Sequence, residues 1–216
     1  MIRILLADDH RIMREGLREL LNKQADFEVV AEAGDGRKAV SLSQEFRPDV
    51  VIMDVSMPAL NGIDAARRII SDNPAVKVIA LSMFADKTFV SEMFKAGSVG
   101  YILKDCACDE LVFAIRAVLK GQLYLSPGIT TFVLKDFLQK SFKSKASSSV
   151  FSNLSNRERE VLQLFAEGKT TKEIASLLNV SPKTVETQRQ NIFNKLNIHN
   201  IAELTKYAIR EGLTSL

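Results

Sequence analysis

Over roughly its first 120 residues the chain alternates between two hydrophobic periods. Ile2-Arg3-Ile4-Leu5-Leu6-Ala7 is a short apolar run, the pattern of a strand buried on both faces. A helical stretch follows, with Ile12, Leu17, Leu20 and Leu21 on one face. Residues 27–33 alternate like a half-buried strand. The next helix carries Ala39, Val40 and Leu42, and Val50-Val51-Ile52-Met53 is wholly apolar and mostly β-branched. A helix, a strand at 76–81, a helix, a strand at 99–103 and a last helix complete the series.

Five strands alternating with five helices predict an α/β sandwich on a parallel sheet. Right-handed crossovers leave few topologies. The flavodoxin-like order 2-1-3-4-5 satisfies them.

The rest of the chain differs. Helical periodicity resumes at 132–138, and the serine-rich run at 141–149 has little to bury and reads as a flexible linker. Beyond residue 154 the pattern is all helical. Ser155…Glu158, Thr170…Glu173 and Asn200…Glu203 each place a capping side chain three residues before a glutamate. Ser181-Pro182 sets a cap before a proline in the first turn, and Gly168 suits a helix end. Four helices are predicted, at 156–167, 171–178, 182–196 and 201–211. With 216 residues, the chain divides into domains at 1–122 and 152–216, joined by a linker at 123–151 that contains a helix.

Charge follows the same division. Residues 1–125 hold 16 Lys and Arg against 18 Asp and Glu, while residues 126–216 hold 13 against 8, so the C-terminal part is the basic one. That asymmetry suits a polyanion partner. The N-terminus lacks the features of a signal peptide, and no apolar stretch reaches membrane-spanning length, so a cytoplasmic protein is expected. Cys106 and Cys108, the only cysteines, are too close in sequence for a disulfide framework.

In open parallel sheets ligands bind at the carboxyl ends of the strands. Asp8 and Asp9 follow strand 1, Asp54 ends strand 3, Ser82 follows strand 4 and Lys104 follows strand 5. With strands 1 and 3 adjacent, three carboxylates converge. They repel unless a cation sits among them, and hard oxygen donors favour Mg²⁺. Lys104 adds a positive charge and Ser82 a hydroxyl. The set fits a carboxylate nucleophile that accepts a phosphoryl group.

In the C-terminal part, Asn179-Val180-Ser181 makes the short turn of a helix-turn-helix. Val180, Val185, Ile192 and Leu196 share a seam at helical spacing. The opposite face offers Lys183, Thr187, Gln190, Asn191 and Asn194, flanked by Arg189 and Lys195. Such groups suit phosphates and base edges in a major groove.

Residues 1–122 resemble a receiver domain of the two-component systems. The motifs are Leu6-Ala7-Asp8-Asp9-His10, Met53-Asp54-Val55-Ser56-Met57-Pro58…Asn61-Gly62, Leu81-Ser82 and Gly100-Tyr101-Ile102-Leu103-Lys104. Residues 152–214 resemble the LuxR-type helix-turn-helix through Leu154-Ser155-Asn156-Arg157-Glu158-Arg159-Glu160-Val161-Leu162, Lys172-Glu173-Ile174-Ala175 and Ser181-Pro182-Lys183-Thr184-Val185-Glu186. Together they identify a response regulator similar to the NarL/FixJ family.

The resemblance implies that Asp54 is the phospho-acceptor. Mg²⁺ would be held by Asp8, Asp9, Asp54 and the backbone carbonyl of Ser56. Lys104 would contact the phosphoryl group, and Ser82 and Tyr101 would form a switch pair whose ring moves inward. The recognition helix would be 182–196, with Lys183, Thr184, Thr187, Gln190, Asn191 and Lys195 at the DNA. Implied partners are a sensor histidine kinase, double-stranded DNA with an inverted repeat, and a second copy of the chain. No turnover is implied beyond the chain's own phosphotransfer and slow dephosphorylation. Asp105 stands where many receivers have proline, which leaves the backbone after Lys104 open. Glu186, Gln188 and Gln190 depart from residues common in relatives, so base preference does not transfer.

Overall fold

The computed structural model describes residues 1–83, 85–130 and 154–214. They form two compact units, one N-terminal and one C-terminal.

The N-terminal unit is a wholly parallel sheet in the order β2-β1-β3-β4-β5-β6. Its strands are β1 (Ile2–Ala7), β2 (Phe27–Ala33), β3 (Val50–Asp54), β4 (Lys77–Ser82), β5 (Gly100–Leu103) and β6 (Tyr124–Leu125). The crossovers are α1 (Arg11–Asn22), α2 (Gly36–Phe46), α3 (Gly62–Asp72) and α4 (Lys87–Lys95), and α5 (Ala107–Leu119) leads from β5 to β6. Every residue of β3 is buried, as expected of a central strand covered on both sides. One core layer joins Ile4, Leu6, Val50, Ile52, Ile79 and Leu81 of the strands to Leu17, Leu21, Leu111 and Ile115 of α1 and α5. Burying one such side chain contributes about 1.5–3 kcal/mol before conformational entropy is counted.

The five-stranded expectation is corrected by β6. Tyr124 N–H donates to Val99 O and Ser126 N–H to Tyr101 O, both at 3.0 Å, so the outer backbone of β5 is paired rather than left as an edge. Two residues are too few to carry a strand period, and they fall inside the stretch read as linker. Residues 127–130 are helical. The helix expected at 132–138 and the serine-rich linker at 141–149 lie outside the described residues.

Register explains where the strand ends fall. Ala7 pairs with Met53 across β1 and β3, Asp54 with Leu81, and Ser82 with Leu103. Asp8, Asp54, Ser82 and Lys104 therefore stand along one rim of the sheet.

The C-terminal unit holds α6 (Asn156–Ala166), α7 (Thr171–Leu177), α8 (Pro182–Leu196) and α9 (Ile201–Arg210). Ser155 with Glu158 and Thr170 with Glu173 form complete capping boxes. The third pair differs: Asn200 caps Glu203 N–H, but Glu203 turns to accept from His199 N–H at 3.0 Å. Gly168 (φ 79°) follows α6, and the left-handed Asn179 (φ 51°) opens the turn between α7 and α8. Val185 and Ile192 are buried in a core with Leu162, Ile174, Ala175 and Leu204, and Val180 and Leu196 pack against it.

Candidate functional site

Three of the four buried groups on the rim carry charge. Asp8, Asp54 and Lys104 are no more than 5% exposed. Lys104 Nζ stands 2.8 Å from Asp8 Oδ2 and 2.7 Å from Asp54 Oδ2, bridging the two strands. Backbone amides hold the remaining oxygens: His10 N–H donates to Asp8 Oδ1 at 2.8 Å and Ser56 N–H to Asp54 Oδ1 at 3.2 Å. Arg14 on α1 donates to the carbonyl oxygen of Asp8. Lys104 opens a single 3-10 turn, Lys104–Cys106, that runs straight into α5. This is the local backbone that Asp105 permits.

Burial pushes the Asp54 carboxyl up to about 7, and Asp8 adds to that rise while Lys104 opposes it. Burial alone would lower the Lys104 ammonium, but Asp54 and Asp8 outweigh it and raise it. One ammonium thus balances two buried carboxyl groups incompletely.

Donor atoms of Asp8, Asp9, His10 and Asp54 lie within 4.8 Å of one another. Asp9 Oδ1 is shielded from solvent and lies 2.8 Å from His10 Nδ1. A set dominated by carboxylate oxygens fits a hard divalent cation such as Mg²⁺. Ser56, the carbonyl donor of the sequence reading, lies on the loop directly after β3, and its amide faces Asp54.

Ser82 is buried at the end of β4. Tyr101 is fully buried on β5 and its hydroxyl is hydrogen-bonded to Ser82. Burial, opposed by that bond, pushes the phenol up to about 12. The ring therefore stands inward in this structure.

The structure adds residues that the sequence reading did not single out. Glu110 on α5 accepts from Tyr124 Oη at 3.0 Å and from Ser126 Oγ, and Ser126 Oγ accepts from Leu103 N–H at 3.2 Å. The strand that presents Lys104 is thereby fastened to the segment leaving the unit. An acid in the first turn of a helix reads as favouring that helix end and gives no sequence signal for this.

In the C-terminal unit Lys183, Thr184, Thr187, Gln190, Asn191 and Lys195 are all exposed on α8. Four of them are engaged at their ends: Thr187 Oγ1 donates to Lys183 O at 3.0 Å, Thr184 Oγ1 shares a hydrogen bond with Ser181 Oγ at 2.9 Å, Gln190 Nε2 donates to Asn194 Oδ1 at 3.1 Å, and Lys195 Nζ pairs with Glu158 at 2.8 Å. Burial would raise the Glu158 carboxyl, but Lys195 and Ser155 hold it below the usual range. Glu186 pairs with Arg189 at 2.6 Å and accepts from Thr171 at 2.7 Å, tying α8 to α7.

Comparison with known proteins adds independent support. The family model for the response regulator receiver domain matches residues 4–116, and that for bacterial regulatory proteins of the luxR family matches residues 152–208. Among curated proteins, the oxygen regulatory protein NreC of Staphylococcus epidermidis is 41% identical over 98% of this chain and 99% of its own length. NreC of Staphylococcus aureus is 40% identical over the same shares. Among solved structures, the RcsB response regulator of Salmonella typhimurium is 29% identical, with a TM-score of 0.65 over 99% of this chain and 98% of that one. A LuxR-family response regulator from Aurantimonas sp. is 38% identical, with a TM-score of 0.61 over 63% of this chain and 97% of that one. An RcsB structure in complex with DNA matches at 29% identity and a TM-score of 0.58, over 95% of this chain and 96% of that one. The two family models follow one another along this chain and the NreC relatives match almost its whole length, and so the chain belongs to the NarL/FixJ response regulators, transcription regulators that join a receiver domain to a LuxR-type helix-turn-helix.

Proposed function

We propose that this chain regulates transcription under the control of phosphorylation at Asp54 by a partner histidine kinase. The observation that carries the reading is the Lys104 ammonium within 2.8 Å of both Asp8 and Asp54 at one rim of the sheet. An Asp54 oxygen attacks the phosphorus of a phosphohistidine. A P–O bond forms, the P–N bond breaks, and the imidazole leaves with the electron pair. Mg²⁺, held by Asp8, Asp9, Asp54 and the Ser56 carbonyl, would neutralise the negative oxygens gathered there. Lys104 exchanges its carboxylate partner for a phosphoryl oxygen. Ser82 turns its hydroxyl to another, and the Tyr101 ring, already inward, keeps the space behind it filled.

The domain limits follow at 1–122, 123–151 and 152–216, with the last presenting α8 to the major groove through Lys183, Thr184, Thr187, Gln190, Asn191 and Lys195. A homodimer on an inverted repeat would set two such helices about one DNA turn apart. None of the described helices is long and apolar enough to cross a membrane, which agrees with action in the cytoplasm on chromosomal DNA.

The test has two arms. Acetyl phosphate with Mg²⁺ should add the mass of one phosphate to the wild type and none to Asp54→Ala. In a gel shift against genomic fragments, phosphorylation should tighten binding by the wild type and leave Asp54→Ala unchanged. Normal phosphorylation of Asp54→Ala would defeat the assignment.

A further inference from the structure

We propose that Ser126, oriented by Glu110, is a positioning residue for Lys104 in phosphoryl transfer, on the reading of Asp54 as the phospho-acceptor.

Lys104 follows β5 directly and opens the 3-10 turn that leads into α5. Its ammonium must give up a carboxylate oxygen and meet a phosphoryl oxygen, so the backbone beneath it has to stay in place while its partners change. Asp105 lends that turn none of the φ restriction that a proline would. One hydroxyl ties the two sides of the turn together.

Ser126 N–H pairs with Tyr101 O at 3.0 Å, just past the last paired residues of β5 and β6. A strand that ran on would offer a carbonyl to the Leu103 amide. The Ser126 carbonyl instead accepts from Ile129 N–H at 2.9 Å and Thr130 N–H at 3.0 Å, as the chain turns into the helical residues 127–130. The Ser126 hydroxyl stands in for it, accepting from Leu103 N–H at 3.2 Å. A serine just before a helix ordinarily offers its oxygen to that helix's own amides. This one serves the residue before Lys104.

Glu110 sets the direction of that bond. A hydroxyl has one proton to give and otherwise only lone pairs. Ser126 gives its proton to Glu110 Oε2, the oxygen that also accepts from Tyr124 Oη at 3.0 Å, and so faces Leu103 as an acceptor. Leu103 precedes Lys104, and Glu110 stands after it in the first turn of α5. The Ser126 hydroxyl, on a residue 1% exposed, therefore closes the stretch from Leu103 to Glu110 into a ring that contains Lys104. The carboxylates of the cation site lie on other strands, Asp8 and Asp9 after β1 and Asp54 at the end of β3. Loss of the hydroxyl should loosen Lys104 and spare cation binding.

The experiment compares the full chain as wild type, Ser126→Ala, Glu110→Met, Glu110→Gln and Asp54→Ala. Calorimetry gives the Mg²⁺ affinity, and mass spectrometry follows phosphorylation by acetyl phosphate at saturating Mg²⁺. Ser126→Ala and Glu110→Met should react about tenfold more slowly, while their Mg²⁺ affinity stays within about twofold of the wild type. Glutamine keeps an oxygen that can accept from both hydroxyls, so Glu110→Gln should react within about twofold of the wild type. Retained Mg²⁺ binding also certifies that the variants are folded. Parallel losses of rate and Mg²⁺ affinity would mean general loosening and would overturn the proposal. So would a wild-type rate in Ser126→Ala, or a Glu110→Gln as slow as Glu110→Met, with phosphorylation still dependent on Asp54. Labelling of Asp54→Ala as fast as that of the wild type would instead defeat the reading of Asp54, and the proposal with it.

Discussion

A methyl group on the α-carbon of Gly62 would lie 1.9 Å from the carbonyl oxygen of Asp54 and 2.8 Å from its carbonyl carbon. Gly62 N–H meanwhile donates to Val55 O at 2.9 Å. The first turn of α3 is thus pressed against the backbone that carries the acceptor carboxylate. Gly62→Ala must drive the two apart. We expect a loss of about 2–3 kcal/mol in urea unfolding. Displacing Asp54 relative to Lys104 by a fraction of an ångström should slow phosphorylation by acetyl phosphate by up to about 100-fold. A variant with native stability and native rate would show that α3 has room to move.

Lys104 stands buried within ion-pair distance of both Asp8 and Asp54, so its removal should cost more than that of a surface pair would. Lys104→Met keeps the length of the stem and leaves two carboxyl groups buried together. At pH 8 the expected loss is about 3–5 kcal/mol. Asp54, already pushed up to about 7 by burial and Asp8, rises further without the ammonium. At pH 5.5 the carboxyl carries its proton with or without Lys104, and the loss should shrink there. Unfolding curves at the two pH values decide this, and added Mg²⁺ should recover part of the deficit at pH 8.

Much of this rim was legible in the chain. Apolar runs of strand length ending in Asp8, Asp54, Ser82 and Lys104 have one simple parallel arrangement, and register then aligns their ends. What the sequence concealed is tertiary in origin. β6 has two residues, below the length at which any period exists. Gly62 stands inside a recognisable motif, but the clash that demands it involves a carbonyl eight residues earlier. Glu158 reads as a capping residue, which it is, and its second partner lies 37 positions away on α8.

The titration of Asp54 makes cation binding depend on pH. Its carboxyl holds a proton up to about 7 when folded, against 3.8 for the free group. Between those values the folded state binds more protons than the unfolded one, so this group's contribution to stability is lost as pH rises through about 7. Mg²⁺ needs the carboxylate and must displace that proton. Its apparent affinity should therefore climb about tenfold per pH unit below about 7 and level off above. Thermal melts should show a larger rise in Tm from Mg²⁺ at pH 8 than at pH 5.5. An equal rise at both would mean that Asp54 is ionised throughout.

On α8, the Lys195–Glu158 pair limits what that lysine offers to DNA. The Lys195 side chain is 47% exposed, so the pair contributes at most about 1 kcal/mol to folding, yet it commits the ammonium to an intramolecular partner at 2.8 Å. Lys183 is exposed in the first turn of α8. If both meet phosphates, Lys183→Ala should lower affinity and reduce the slope of log affinity against log salt by about one. Lys195→Ala should do less, because binding by the wild type first breaks the Glu158 pair. Glu158→Gln separates these contributions. Glutamine can still serve the capping box with Ser155, so the helix start is kept while Lys195 is freed. That variant should bind DNA several-fold more tightly and with a steeper salt slope than the wild type, read by fluorescence anisotropy between about 50 and 200 mM salt. An unchanged slope would place Lys195 away from the DNA, its role confined to joining α8 to α6.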